Sequence, residues 1–111
     1  MNNIKRGDIL IISSRNDIVG CEQCGDRPAI VVSNNQCNRF SDVIEIVYIT
    51  SSTKNKKLPT HVDIFVDKKS IALCEQINSI SKKRIKMKRF ALNSDKMKEI
   101  DNALKISLGL K

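Results

Sequence analysis

Hydrophobic positions along this chain change period once. Over most of its length they come as short runs, and near the C-terminus they recur at helical steps. Residues 9–12 are continuously apolar, bounded by Gly7-Asp8 and Ser13-Ser14, and read as a buried strand. A second strand, 29–32 (Ala-Ile-Val-Val), starts just after Pro28, which also pushes Arg27 toward an extended conformation. Between them lies a loop, about 13–27, with Gly20, Gly25 and several polar residues. Residues 43–50, β-branched almost throughout, form the best strand in the sequence. Residues 62–66 and 71–77 are two more, preceded by a connection with Lys54, Lys56, Lys57 and Pro59. Met97, Ile100, Leu104 and Leu108 then recur every three or four residues with Ala103 beside them, the stripe of an amphipathic helix. Asn93 or Ser94 suits its N-cap, Asp95 and Glu99 its first half, and Lys105 and Gly109 its end. Short strands followed by a terminal helix predict a β-rich α+β fold: a small, strongly bent sheet or barrel with the helix packed on it.

Length and composition narrow this picture. At 111 residues one domain, 1–111, is expected, and 41% hydrophobic content sets the chain apart from disordered tails. No apolar run approaches a membrane span, and the first residues lack the features of a signal peptide, so a cytoplasmic protein is expected. Its cysteines, Cys21, Cys24, Cys37 and Cys74, are then expected to be thiols. The net charge of +8 lies wholly in the second half: residues 1–55 carry six basic and six acidic side chains, 56–111 fourteen and six. The densest stretch, 82–89 (KKRIKMKR), favours a phosphate polyanion or an acidic protein partner over a merely solvated face. The four aromatics, Phe40, Tyr48, Phe65 and Phe90, are too scattered to suggest a base-stacking platform.

Several segments together have a familiar order. Lys5-Arg6-Gly7-Asp8-Ile9 opens the chain, and Gly20-Cys21-Glu22-Gln23-Cys24-Gly25-Asp26-Arg27-Pro28 follows. Asn38-Arg39-Phe40-Ser41 precedes the strand ending Ile49-Thr50; then come Leu58-Pro59-Thr60-His61-Val62, Glu75-Gln76-Ile77 and an Ala103–Leu110 ending. This order and spacing resembles the MazF/PemK family of toxin endoribonucleases over essentially the whole chain, most specifically in the Gly-x-Glu-Gln-x-Gly-x-Arg-Pro element. The resemblance implies an SH3-like barrel, a bent antiparallel sheet with a C-terminal helix, paired into a homodimer. It implies sequence-selective cleavage of single-stranded RNA to 2′,3′-cyclic phosphate and 5′-hydroxyl ends, with no metal and no cofactor. It also implies inhibition by an acidic antitoxin whose tail occupies the RNA groove. The chain departs from the family at Cys24, where Gly or Ala is usual, and in a shorter connection over 63–72. In the family that connection borders the RNA groove, so the resemblance leaves this chain's recognised sequence free to differ from a relative's.

Residue by residue, Arg27 matches the family's catalytic arginine; a guanidinium binds two phosphate oxygens in a fixed fork and stays charged. Thr50 matches its catalytic threonine, a hydroxyl at a strand end that can bond to the scissile phosphate or the 2′-hydroxyl. Glu22 suits a base or a nucleobase contact and Gln23 a base edge, although each equally suits a solvated loop position. Ser51 and Ser52 can bind phosphate or simply turn the chain. Gln76 fits a groove or dimer contact. His61, the lone histidine, reads as part of a structural turn into a strand. The Cys21-x-x-Cys24 pair lacks the second close pair that a zinc site would show, and Cys74, inside an apolar run, reads as a buried small residue. The competing reading is a same-fold toxin that binds and poisons a DNA gyrase-like enzyme without cutting RNA. A third is a passive nucleic-acid-binding barrel using the patch at 82–89. The pairing of Arg27 with Thr50 favours the nuclease.

Overall fold

The computed structural model describes residues 3–13, 25–51 and 57–111. Strands β1 (Asp8–Ile12), β2 (Arg27–Val31), β3 (Val43–Thr50), β4 (His61–Val66), β5 (Lys68–Ser81) and β6 (Ile85–Ala91) form one antiparallel sheet. Its order is β4-β5-β3-β2-β1-β6. A short helix α1 (Asn35–Phe40) joins β2 to β3, a single 3-10 turn (Lys82–Arg84) joins β5 to β6, and helix α2 (Ser94–Leu108) follows. The five strands read from the sequence are present, with β5 longer at both ends than its apolar run 71–77. Two elements were not foreseen, α1 and β6. The basic stretch 82–89 is thus a turn and an edge strand, held by its ladder to β1 rather than by burial.

Period-2 alternation gives the sheet two apolar faces. On β3, Val47 and Ile49 join Ile9, Ile30, Val62, Ile64 and Val66 in one cluster, which Ile100, Ala103 and Leu104 of α2 cover. Ile44 and Ile46 face the other way, with Leu10, Ile12, Ala29, Val31 and Ile80. The sheet curls into a half-barrel far enough for its edge strands to meet: Arg89 of β6 donates from Nη2 to both carboxylate oxygens of Asp67, at 2.8 and 3.0 Å. Asp67 lies at the β4–β5 reversal with φ 64°, a left-handed conformation that a short polar side chain tolerates. Lys96 of α2 closes the gap further, its Nζ 2.7 Å from the Asp63 carbonyl oxygen.

Local chemistry explains the ends of these elements. The Asn93 side chain accepts from the Lys96 amide, capping α2, and Gly109 ends it in the left-handed region. The helix stripe leaves the sheet before its last residue, so Leu108, read as core from its spacing, is exposed. The turn before β1 depends on Gly7, φ 95°, whose missing side chain leaves room for Met97. Asp8, buried, accepts from the Lys5 amide at 2.8 Å and pairs with Lys88 at 3.1 Å. Buried Asn38 ties α1 to β2 through the Ser33 hydroxyl and carbonyl, and the same hydroxyl accepts from the Glu45 amide on β3. Among the described residues no helix is long and apolar enough to cross a membrane.

Ile100 is fully buried where α2 meets the sheet. Ile100→Ala should lower stability by about 2–5 kcal/mol, read from the midpoint of a urea transition. A loss under about 1 kcal/mol would mean that α2 is not anchored there.

Candidate active site

The two leading candidates are brought together by strand register. Ala29, Ile30 and Val31 of β2 pair with Tyr48, Val47 and Ile46 of β3. Carrying that pairing two residues further sets Arg27, at the start of β2, opposite Thr50, at the end of β3. Alternation puts Arg27, Ala29, Tyr48 and Thr50 on one face. Arg27 is exposed and Thr50 half-buried, so a guanidinium and a hydroxyl share one face at the rim of the sheet. Ser51 continues β3 into solvent.

Two further side chains enter the site that the sequence reading did not single out. Tyr48 is the diagonal neighbour of Arg27, and such pairs come within reach of long and aromatic side chains. The Arg27 guanidinium carbon lies 4.3 Å from the centre of its ring, in cation–π geometry. Arg84 approaches the same tyrosine from the 3-10 turn, donating from Nη2 to the phenolic oxygen at 3.3 Å. Arg84 is firmly mounted: its carbonyl accepts from the Ser13 amide at 2.8 Å, and its Nε donates to the Ser13 carbonyl at 2.9 Å. The rim therefore carries two guanidinium groups and a hydroxyl, a set able to bind a phosphate and stabilise negative charge building on it.

The wall beside Tyr48 is irregular. β3 pairs with β5 at Val47–Ile77 and again at Ile49–Ala72, so Tyr48 alone faces four residues of β5, Leu73, Cys74, Glu75 and Gln76. This bulge bends β5 away from β3 and places exposed Gln76 next to the tyrosine's position on the sheet. A clamp holds the bulge against the start of β4. The Thr60 hydroxyl donates to Glu75 Oε1 at 2.9 Å, and His61 Nε2 meets Oε2 at 3.0 Å. The Leu58 amide donates to His61 Nδ1 at 3.2 Å, which leaves the ring proton on Nε2 to point at the carboxylate. His61 is thus engaged on both nitrogens in structure, in line with its reading as part of a turn.

Glu22 and Gln23, and with them Ser52, Cys21 and Cys24, lie outside the described residues. Cys74 is fully buried, and burial, reinforced by the charge of Glu75, pushes its thiol up to about 12. It is a packing residue, as its apolar surroundings in the sequence suggest. No group of three metal-ligating side chains occurs among the described residues. The basic stretch 82–89 is less of a free polycation than it looks in sequence: Lys86 pairs with Asp26 at 3.2 Å, Lys88 with Asp8, and Arg89 with Asp67.

Comparison with known proteins places this geometry in context. Residues 5–108 match the family described as PemK-like, MazF-like toxin of type II toxin-antitoxin system. The chain is 41% identical over 112 aligned positions to Endoribonuclease MazF of Staphylococcus epidermidis, covering 96% of this chain and 92% of that protein. Among solved structures, an endoribonuclease from a mycobacterial species aligns with a TM-score of 0.79 at 22% identity, over 99% of this chain and 95% of that one. A MazE–MazF crystal structure from Deinococcus radiodurans gives a TM-score of 0.78 at 20% identity, over 97% and 98%. At these identities the structural likeness speaks for the fold.

The clamp makes the bulge sensitive to acid. Partial burial raises the Glu75 carboxyl, but its own backbone amide, the His61 ring and the Thr60 hydroxyl outweigh that and hold it below its ordinary value of 4.5. A depressed carboxylate stabilises the fold above its unfolded value, and that contribution is lost as pH falls through the lower folded value. Between neutral pH and the region below 4.5, Glu75→Gln should therefore lose less thermal stability than the wild type. Identical acid slopes in paired melting series would show that the clamp contributes nothing.

Proposed function

Because this chain belongs to the PemK-like, MazF-like toxins of type II toxin–antitoxin systems and is an endoribonuclease of that kind, we propose that it cuts single-stranded RNA sequence-selectively at Arg27 and Thr50. The observation that carries this reading is the β2–β3 register, which sets the two side chains opposite each other on one face of the sheet rim. In the proposed reaction the RNA 2′-oxygen attacks the adjacent phosphorus and gives up its proton to a base. The 5′-oxygen then leaves with a proton, yielding a 2′,3′-cyclic phosphate and a 5′-hydroxyl. Arg27 binds two non-bridging oxygens and stabilises the charge that develops on the phosphorane. Thr50 hydrogen-bonds the phosphate or the attacking hydroxyl and fixes it in line. Guanidinium groups and hydroxyls placed in advance supply this stabilisation with no call on a metal ion. Arg84 adds a second fixed positive charge, and Ser51 and Gln76 border the path that the strand would take.

The same reading extends to partners. A net charge of +8 suits both RNA and an acidic antitoxin, and the solved Deinococcus relative is a complex of MazE with MazF. Homodimerisation is supported by an apolar groove at the end of α2, where Val32, Ile77, Leu104, Leu108 and Leu110 line one depression. Leu108 and Leu110 stay mostly exposed there, as does Ile106 on the same helix.

The test is cleavage of a long unstructured RNA in EDTA by the purified protein and by Arg27→Ala, with the fragment ends sequenced and their phosphates typed. Discrete cuts with cyclic-phosphate ends are expected. The variant should lose at least about 10²- to 10³-fold in rate while keeping the same mass by light scattering. Wild-type turnover in the variant would refute the assignment of Arg27. Intact RNA across several substrates would turn the search toward a protein target.

A further inference from the structure

Arg27 is exposed and sits at the first residue of its strand, where a long side chain would ordinarily sample many rotamers. Here its guanidinium lies over the Tyr48 ring, 4.3 Å from the centroid, a contact that favours one of them. The ring is in turn restrained from three sides. Its backbone is central in the sheet, paired to Ala29. Its body is half-buried against the cluster of Leu10, Ile12, Ala29 and Ile46. Its hydroxyl accepts from Arg84, which is bonded through both backbone carbonyl and side chain to Ser13. The two guanidinium groups do not compete for one acceptor: one takes the π face, the other the phenolic oxygen.

Resting on the reading that Arg27 acts on the scissile phosphate, we propose that Tyr48 is a positioning residue for that arginine. The ring serves as a platform that holds the guanidinium plane in one orientation before RNA arrives, and Arg84 is the strut that keeps the platform still. Stacking occupies the flat face of the guanidinium and leaves its in-plane N–H groups available for phosphate oxygens, so the two interactions coexist. Positioning of this kind acts mainly on the chemical step, since the arginine is ready when charge develops and need not be ordered then. It also gives Tyr48 a role that strand propensity alone would not require.

The experiment compares Tyr48→Leu, Tyr48→Phe and Arg84→Gln with the wild type. The substrate is a short fluorogenic RNA carrying the cleavage sequence mapped on the long RNA, and folding is checked by thermal melting. Tyr48→Leu should lower kcat about 5- to 30-fold, in line with the strength of a partly desolvated cation–π contact, with KM within about two-fold. Tyr48→Phe keeps the ring and should retain kcat within about three-fold; Arg84→Gln should fall between the two. Should Leu impair folding, Tyr48→Met fills the space with an unbranched side chain lacking a π face. An independent readout is the Arg27 side-chain NMR signal. Its ring-current shift should persist in Tyr48→Phe and vanish in Tyr48→Leu. Unchanged kcat in the folded Leu or Met variant overturns the proposal. So does an equal loss in Tyr48→Phe, which would assign the effect to the hydroxyl, or a change confined to KM, which would make Tyr48 a substrate contact. Failure of the underlying reading looks different: Arg27→Ala would then cut RNA at the wild-type rate, whatever the Tyr48 variants do.

Discussion

A slip of β2 by one residue against β3 would turn Arg27 to the opposite face of the sheet, away from Thr50 and Tyr48. That register is therefore the constraint on which the site depends, and much of the structure secures it. Ile30 faces α2 and its cluster while Ala29 and Val31 face the other, so a shift would exchange residues between two differently shaped cores. The buried link from Asn38 through Ser33 to Glu45 fixes the far end of the same strand pair. None of these residues touches the rim, yet each restricts where Arg27 and Thr50 come to lie.

The distribution of charge has a division of labour. Half of the six basic residues in the dense stretch 82–89 are tied up locally: Lys86, Lys88 and Arg89 each face a carboxylate. The Lys86–Asp26 and Arg89–Asp67 pairs lie at the surface, where such pairs contribute little to stability and are screened by salt, so they leave a diffuse positive field suited to drawing a polyanion in. Arg27 and Arg84 differ in kind. The Arg27 guanidinium lies on an aromatic face, and Arg84 is tied to a phenol and a backbone carbonyl, contacts that orient the two groups. Rim and patch thus do different things with the same kind of side chain.

Much of this was legible in advance, for identifiable reasons. Helix α2 announced itself through its three-and-four spacing and through Asn93 and Gly109, which cap it as their chemistry suggests. Strands β3 and β4 were visible because apolar and β-branched residues carry their own signal, and Thr50 falls at the end of β3 as read. Strand β6 was not, because it is an edge strand with one ladder and scarcely any burial, so lysines and arginines dominate its sequence. Helix α1, six residues around a buried asparagine, has no apolar stripe to detect. At the site, Arg27 and Thr50 were named through a family resemblance, whereas Tyr48 and Arg84 were passed over. The tyrosine looked like one more strand residue among few aromatics, and the arginine was one cation in a cluster. What joins them to Arg27 is pairing across 21 and 36 positions of sequence, which no local pattern encodes.

The bulge opposite Tyr48 separates two registers of one strand pair. On one side, Val43 through Val47 follow one alignment with β5; on the other, Ile49 and Thr50 follow another. A segment lying between two independent alignments can gain or lose a residue while the pairs on either side stay where they are. Leu73 to Gln76 is such a segment, and it borders the rim beside the tyrosine. Over evolutionary time this arrangement uncouples two kinds of change. The strand that carries Thr50 can stay in place while the neighbouring wall changes in length and shape.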